Sequence, residues 1–458
     1  MFTEGMTSED KRILFVVDGS FFPIRDGSSQ RYYVWLQYLN KFGYEVYFLS
    51  FNSQRGRWDS ESLQLIKKYV RDYLIIDTYS SPIKHFVKRA FMRLANILMG
   101  RNRLYSMIER FFYKKQFGQI QSYITNNSVS DFAIIVNKPW TANSMGLENL
   151  KNFRGLKIID IHDIHASHFH IAKKILMRKP IKEFIGGIYA NFLLEKFWTL
   201  TFNYKKAYEE EINILSVFDK VLVTSVSEVE ELRNIQALSK KVRYLPLLVI
   251  PKKEGVSYQN TNKQYDFGFI GSSGLFNVEA IEFFGNSIIP HIRERRQDFR
   301  CLIAGPISNV ARGILASERG IEFLDSINDL NDFYGRVKIV IVPLLSGTGV
   351  SVKTLEAMNY GCPVLSTTVG VRGLEVKDRF DIWIEDDPKQ FAESLVKMLD
   401  NDALQSQLML NALTTISGKY SLAWHYEVLN SVLNMNPASK TKESGNGGPY
   451  SRNFVQKI

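Results

Sequence analysis

The residues best equipped for chemistry lie in one run, Lys338 to Thr368, which reads KIVIVPLLSGTGVSVKTLEAMNYGCPVLSTT. Gly347, Thr348, Gly349 and Val350 form a turn, and Lys353 and Glu356 follow it. Glycines let backbone amides come close to a ligand, and a helix start adds unpaired N–H groups and a partial positive charge. Such a turn suits a phosphate. In the helix that follows, Val352, Leu355 and Met358 face a core, while Lys353, Glu356 and Tyr360 fall on another stripe. A cation and a carboxylate are thus offered together just beyond an anion-ready turn.

A second cluster, IIDIHDIHASHFH, gathers His162, Asp163, His165, His168 and His170, although the whole chain has seven histidines. No cysteine or Glu-x-x-His partner accompanies them, and the spacing matches neither a zinc finger nor a zincin, so metal is not the preferred reading. Position gives the better one. Ligands of open parallel sheets bind beyond the carboxyl ends of the strands. Lys157 to Ile161 reads as such a strand, so His162 and Asp163 are expected to line a reacting centre, with His165 behind them. The alternative is a histidine-rich loop without chemistry.

Elements able to hold these groups recur along the chain. Lys11 to Val17 reads as a buried strand, followed by a loop containing Gly27 and Ser28, a helix carrying Arg31, and a strand from Val46 to Leu49. Arg31 is either an acceptor-side binding group or a solvated surface arginine. Phe132 to Val136 and Phe218 to Thr224 are further strands, and Ser227 is a candidate cap of the helix after the latter. Near residue 265 a new strand ends at Gly271, and Ser272, Ser273 and Gly274 precede another helix. That G-x-x-G turn is not the G-x-G-x-x-G dinucleotide fingerprint, which argues against NAD.

Taken as a string, Pro343, then S-G-T-G, Lys353, L-E-A-M and G-C-P-V-L resembles the donor-site signature of retaining GT-B glycosyltransferases of family four, the group-one glycosyl transferases. The resemblance implies an α/β fold of two doubly wound Rossmann-like domains facing a cleft. It implies a nucleoside diphosphate sugar as co-substrate and no further cofactor, with Lys353 and the amide of Gly349 on the diphosphate and Glu356 on the ribose. The implied donor side includes Gly27, Gly271, Ser272, Gly347, Thr348 and Val350. His162, Asp163, Lys353 and Glu356 are the expected catalytic groups, Arg31 and His165 the acceptor side, and no metal is called for. Two positions depart from the commonest pattern. Thr348 stands where many members carry a second glutamate, eight residues before Glu356, and Asn277 stands where many carry an arginine or lysine.

Length and composition agree with two domains. The 458 residues are 45% hydrophobic and 23% charged, with cysteines only at 301 and 362, which leaves no disulfide framework. The expected organisation is a first domain over 1–248, a hinge over 249–264, a second domain over 265–418, a helix over 419–435 returning to the first, and a disordered tail over 436–458. No apolar run approaches the ~20 residues that cross a bilayer, and the polar start lacks a secretory signal, so a cytoplasmic setting is expected. Charge is uneven: residues 1–250 hold 36 basic against 24 acidic side chains, the remainder 22 against 23. The basic, aromatic-rich stretch 84–115 reads either as interfacial, making an anionic membrane surface a candidate partner beside a glycan or lipid-linked acceptor, or as a pair of core-packed helices with a basic outer face. Nucleic acid is not indicated. The expected activity is hexosyl transfer with retention in surface polysaccharide or glycoconjugate synthesis; the alternatives are a silent GT-B-like scaffold and a nucleotide-sugar epimerase.

Overall fold

The computed structural model describes residues 11–24, 27–52, 56–77, 116–185, 187–200, 202–249, 263–327 and 329–433. The interfacial stretch 84–115, the tail 436–458 and most of the hinge 249–264 lie outside the described residues.

The first sheet has seven strands: β1 (Arg12–Asp18), β2 (Glu45–Asn52), β3 (Asp72–Asp77), β4 (Ala133–Asn137), β5 (Lys157–Ile161), β6 (Lys220–Val223) and β7 (Val242–Tyr244). They lie in the order 3-2-1-4-5-6-7 with parallel neighbours. The second has β8 (Tyr265–Ile270), β9 (Cys301–Ala304), β10 (Ile321–Leu324), β11 (Val337–Val342), β12 (Val364–Ser366) and β13 (Trp383–Ile384), ordered 10-9-8-11-12-13 and again parallel. Parallel strands covered on both faces read as continuous apolar runs, and ILFVV in β1 and IVIV in β11 are fully buried. Strand order reverses between β1 and β4 and between β8 and β11. Those switch points open the crevices where ligands of such sheets sit.

The helices that matter for the site are α1 (Gly27–Lys41), α2 (His165–Arg178), α3 (Leu193–Leu200), α4 (Tyr204–Ser216), α5 (Val226–Arg233), α6 (Leu275–Phe283), α7 (Val352–Asn359), α8 (Pro388–Leu399) and α9 (Leu422–Leu433). Asp386 and Asp387 act structurally. The Asp387 carboxylate caps α8 through the amides of Lys389 and Gln390, and Asp386 accepts from Thr368. The cap expected at Ser227 is displaced. Ser225 precedes α5, and Ser227 lies inside the helix with its hydroxyl 2.9 Å from that of Ser225. In α9, Tyr426, Leu429, Val432 and Leu433 pack into the first domain's core with Ile13 and Trp35, and the Tyr38 hydroxyl donates to Asn430 at 2.5 Å.

One segment serves both domains. From α2 onward, Ala172, Ile175, Leu176, Phe184, Tyr189 and Phe192 join the hydrophobic core of the second sheet, although the chain around them belongs to the first. Lys179 reaches Glu282 at 2.8 Å, and the Tyr189 hydroxyl donates to the same carboxylate.

Candidate active site

The loops beyond β5, β6, β8, β11 and β12 meet at one place. On the first-domain side, the His162 carbonyl accepts from Thr224 Oγ1 at 2.8 Å and its Nδ1 lies 2.7 Å from Ser28 Oγ. Burial, then the charges of Lys138 and Arg31, push the His162 imidazole well below its usual range against the opposing pull of Asp163, so it is neutral. Its Nε2 is buried and has no hydrogen-bond partner. For Asp163, burial acts to raise the carboxyl, but His168, Thr348 and His165 outweigh it and hold it well below the ordinary range.

Asp163 is where the domains touch. Its Oδ2 accepts from Thr348 Oγ1 at 2.8 Å and lies 3.6 Å from His168 Nδ1, itself 3.1 Å from Thr348 Oγ1. A hydroxyl at 348 therefore donates to a carboxylate at the spot where a glutamate side chain would set like charge against it. The departure at Thr348 has a local physical reason. Close by, a Cβ on Gly27 would sit 3.0 Å from Val352, and one on Gly373 2.5 Å from Ser225.

On the second-domain side Lys353 Nζ donates to Asn277 Oδ1 and lies 4.2 Å from the Phe269 ring centre. The other end of the Asn277 amide donates to the Ser272 carbonyl at 2.9 Å and to Ser272 Oγ at 3.2 Å, so Asn277 ties the G-x-x-G turn to the lysine. Burial, then the Arg372 charge, lower Lys353 to about 7, with Glu356 opposing. Burial raises Glu356 to about 7, opposed by the Tyr334 hydroxyl at 3.1 Å and by Lys353. Tyr334 also stacks on Tyr360, with ring centres 4.7 Å apart.

Arg372 is a site residue that the sequence pattern does not mark. Its guanidinium covers Gly347, donates to the carbonyls of Thr348 and Val369, and leaves a buried Nε without a partner. Burial lowers it to about 10 in spite of Glu228 and Asp163. The only signal for it in the sequence is its place just past β12, at the same end of the sheet as the glycine turns. Lys353 and Arg372 give this corner two buried cations, which an anion would relieve. Among the described residues no group of three or more His, Cys, Asp or Glu is placed to hold a metal ion.

Arg31 is a correction. It is neither solvated nor on the acceptor side: 2% exposed, it donates to both oxygens of Asp160 and to the carbonyls of Leu245 and Pro246. His165 stays at the edge of the cluster, its ring 4.7 Å from Trp140 and 4.6 Å from Phe169.

Two Rossmann-like domains meeting across such a cleft define the GT-B class of fold. HepE of Anabaena, in complex with UDP and glucose, superposes with a TM-score of 0.59 at 11% identity, over 93% of this chain and 99% of its own. Sucrose-phosphate synthase of Thermosynechococcus elongatus gives 0.60 at 15% identity over 93% and 98%. TarM gives 0.62 at 13% over 94% and 99%, and S. aureus TarM has been solved with alpha-GlcNAc-glycerol and UDP. Within that class, residues 264–401, most of the second domain, match the model for glycosyl transferases group 1. A protein of Klebsiella pneumoniae, described as an uncharacterized 44.6 kDa protein in the cps region, is 27% identical over 233 residues. That match covers 48% of this chain and 56% of the relative, so the chain spans little more than half the length of the curated relative it matches.

The contact at Gly349 gives a first prediction. Its φ is +61°, and a Cβ there would stand 2.8 Å from the His162 carbonyl oxygen and 3.2 Å from Asp163 Cβ. Gly349→Ala should cost ~1–3 kcal/mol in strain and force the two loops apart. A thermal melt should fall modestly, and an unchanged melt would remove the close contact between the two loops.

Proposed function

We propose that this protein transfers a hexosyl unit from a nucleoside diphosphate sugar to an acceptor hydroxyl with retained anomeric configuration. The supporting observation is Lys353, fixed by Asn277 between two glycine turns beside Arg372, inside the segment that matches the group 1 glycosyl transferases. Negative charge grows on the leaving diphosphate as the glycosidic bond breaks. Donors already aimed at that charge lower the barrier most, and here they are Lys353, Arg372 and the amides around Gly271 and Gly349, in the role that a metal fills elsewhere. Glu356, held by Tyr334, orients the ribose. From the opposite wall, neutral His162 and ionised Asp163 face the sugar, and the Thr348 contact closes the domains and excludes water.

UDP-sugars are the first donors to try, because HepE and TarM have been solved with UDP. The relative in a cps region supports a role in surface polysaccharide or glycoconjugate synthesis. A thermal-shift screen of nucleoside diphosphates and their sugars tests the reading. A ligand at 100 times its Kd should add ~2.7 kcal/mol of stability to the wild type and little to Lys353→Ala. Stabilisation without turnover would favour a silent scaffold, for which the departures at Thr348 and Asn277 are the motive. A product with one sugar centre inverted would favour an epimerase. No response to any nucleotide would overturn the transferase and the epimerase and leave the scaffold.

A further inference from the structure

Six of the nine exposed large apolar side chains among the described residues fall between residues 169 and 200: Phe169, Met177, Ile181, Ile185, Phe197 and Leu200, each 43% to 71% exposed. Scattered exposed apolar residues are ordinary; a concentration of them marks a contact surface. The same stretch holds six lysines and arginines against two glutamates. Along its outer edge the two kinds alternate. Lys174, Met177, Arg178, Ile181, Lys182 and Ile185 are all exposed, the first three on the last turns of α2 and the others on and just past the turn Ile181–Glu183, beyond the extended Lys179 and Pro180 that end the helix. Phe197 and Leu200 add apolar tips from α3, which packs against α2.

We infer that this ridge docks on an anionic lipid bilayer and that the acceptor is therefore lipid-linked. Cations interleaved with bulky apolar tips match a charged interface, where the tips enter the headgroup boundary and the cations meet the lipid charge. A second copy of the chain fits poorly, because a two-fold contact would set Lys174, Arg178 and Lys182 against their own images. No helix among the described residues is long and apolar enough to cross a membrane, so the ridge would hold the protein on the surface. The acceptor class follows from geometry and rests on the transferase reading above. α2 starts at His165, two residues beyond Asp163, and its 14 residues span about 20 Å. A bilayer on the ridge would thus lie about one helix length from the cleft, within reach of a saccharide built on a membrane-anchored carrier.

The test is co-sedimentation of the full chain with phosphatidylglycerol–phosphatidylcholine vesicles and with phosphatidylcholine vesicles alone, at low and high salt. Wild type should pellet with the anionic vesicles at low salt and stay in solution with neutral ones. The triple variant Lys174→Glu, Arg178→Glu, Lys182→Glu should lose about a hundredfold in partition, each cation being worth ~1 kcal/mol near such a surface. Ile181→Ser with Ile185→Ser and Phe197→Ser should weaken binding at both salt levels. Both variants should keep the nucleotide-induced thermal shift, which shows that they fold and separates this inference from the donor site. Wild type remaining in the supernatant, or both variants pelleting like wild type, would overturn it. So would a wild-type dimer in sedimentation velocity that the apolar variant abolishes, since the ridge would then be covered by a second copy.

Discussion

Lys353→Met should lower nucleotide-sugar turnover roughly 10²–10³-fold, the loss typical of removing one donor from a developing anion, and should make the protein more heat-stable. Both effects come from the same burial. Lys353 ordinarily titrates near 10.5 and is brought down to about 7 by burial and by the neighbouring Arg372 charge. Between about 7 and 10.5 the unfolded chain holds a proton that the folded one lacks, so this lysine's penalty is full below 7 and fades as pH rises through that window. Replacing a poorly paired buried charge by an isosteric apolar side chain is worth ~1–4 kcal/mol. The gain in Tm should be large at pH 6 and nearly gone at pH 10. Glu356, deprived of its cation, should move further up and stay protonated at neutral pH, adding no new buried charge. Donor affinity of the wild type should follow the opposite course, since only the ammonium form of Lys353 meets the diphosphate: Kd should rise with pH above 7, by up to about tenfold per unit. Calorimetric titration with UDP-glucose at pH 6, 7, 8 and 9 reads this. A flat profile, or a variant less stable than wild type at pH 6, would mean that Lys353 is not the buried cation that meets the diphosphate.

The second large effect is structural. Arg31 and Asp160 pair at 2.6 Å with side chains 1% and 0% exposed, and the Trp35 indole donates to the other carboxylate oxygen at 2.8 Å. Asp160→Ala leaves a guanidinium and an indole N–H buried without acceptors, and breaking such a pair costs ~3–5 kcal/mol. For a cooperative unit the size of the first domain, about 250 residues, that is a fall in Tm of roughly 6–10 °C. Arg31→Ala should cost less, because the abandoned carboxylate keeps the Trp35 bond and can take up a proton. The nucleotide-induced shift should survive in any folded fraction of either variant. A melt that Asp160→Ala leaves in place would contradict the network, which also holds Leu245 and Pro246 where the chain leaves the first sheet.

These two cases mark what the sequence could and could not disclose. Lys353 and Glu356 were legible because strand, glycine turn and helix are contiguous, so their position follows from local periodicity. Arg31 was not, because its partner lies 129 residues away and nothing local distinguishes a buried guanidinium from a solvated one. Arg372 shares the difficulty. Its role depends on β12 lying beside β11, a pairing made by the sheet rather than by spacing. The short strands β7 and β13, three and two residues long, carry too few residues for a period to register. Likewise nothing local in the stretch after His165 shows that its buried side enters the second domain's core. Alternating strands and helices made parallel α/β sheets readable, whereas the two-domain GT-B arrangement was implied by the resemblance of the string that follows Pro343.

Helix α2 begins at the reacting centre, where its unpaired amides would ordinarily attract a guest anion, but the chain fills that position itself. Glu211 takes the amides of His165 and Ala166 at 3.0 and 2.9 Å, and Glu228 takes that of Ile164 at 3.1 Å. Burial raises these carboxyls to about 7 and about 8, with the amides holding them back. The two halves of the protein therefore differ at the cleft. The first arrives with carboxyl groups of its own already seated on the start of its helix, while the second presents Lys353 and Arg372 beside its glycine turns. In the proposed reaction the donor's diphosphate then has only the second wall to bind, which fixes which end of the donor faces which domain before any sugar is recognised.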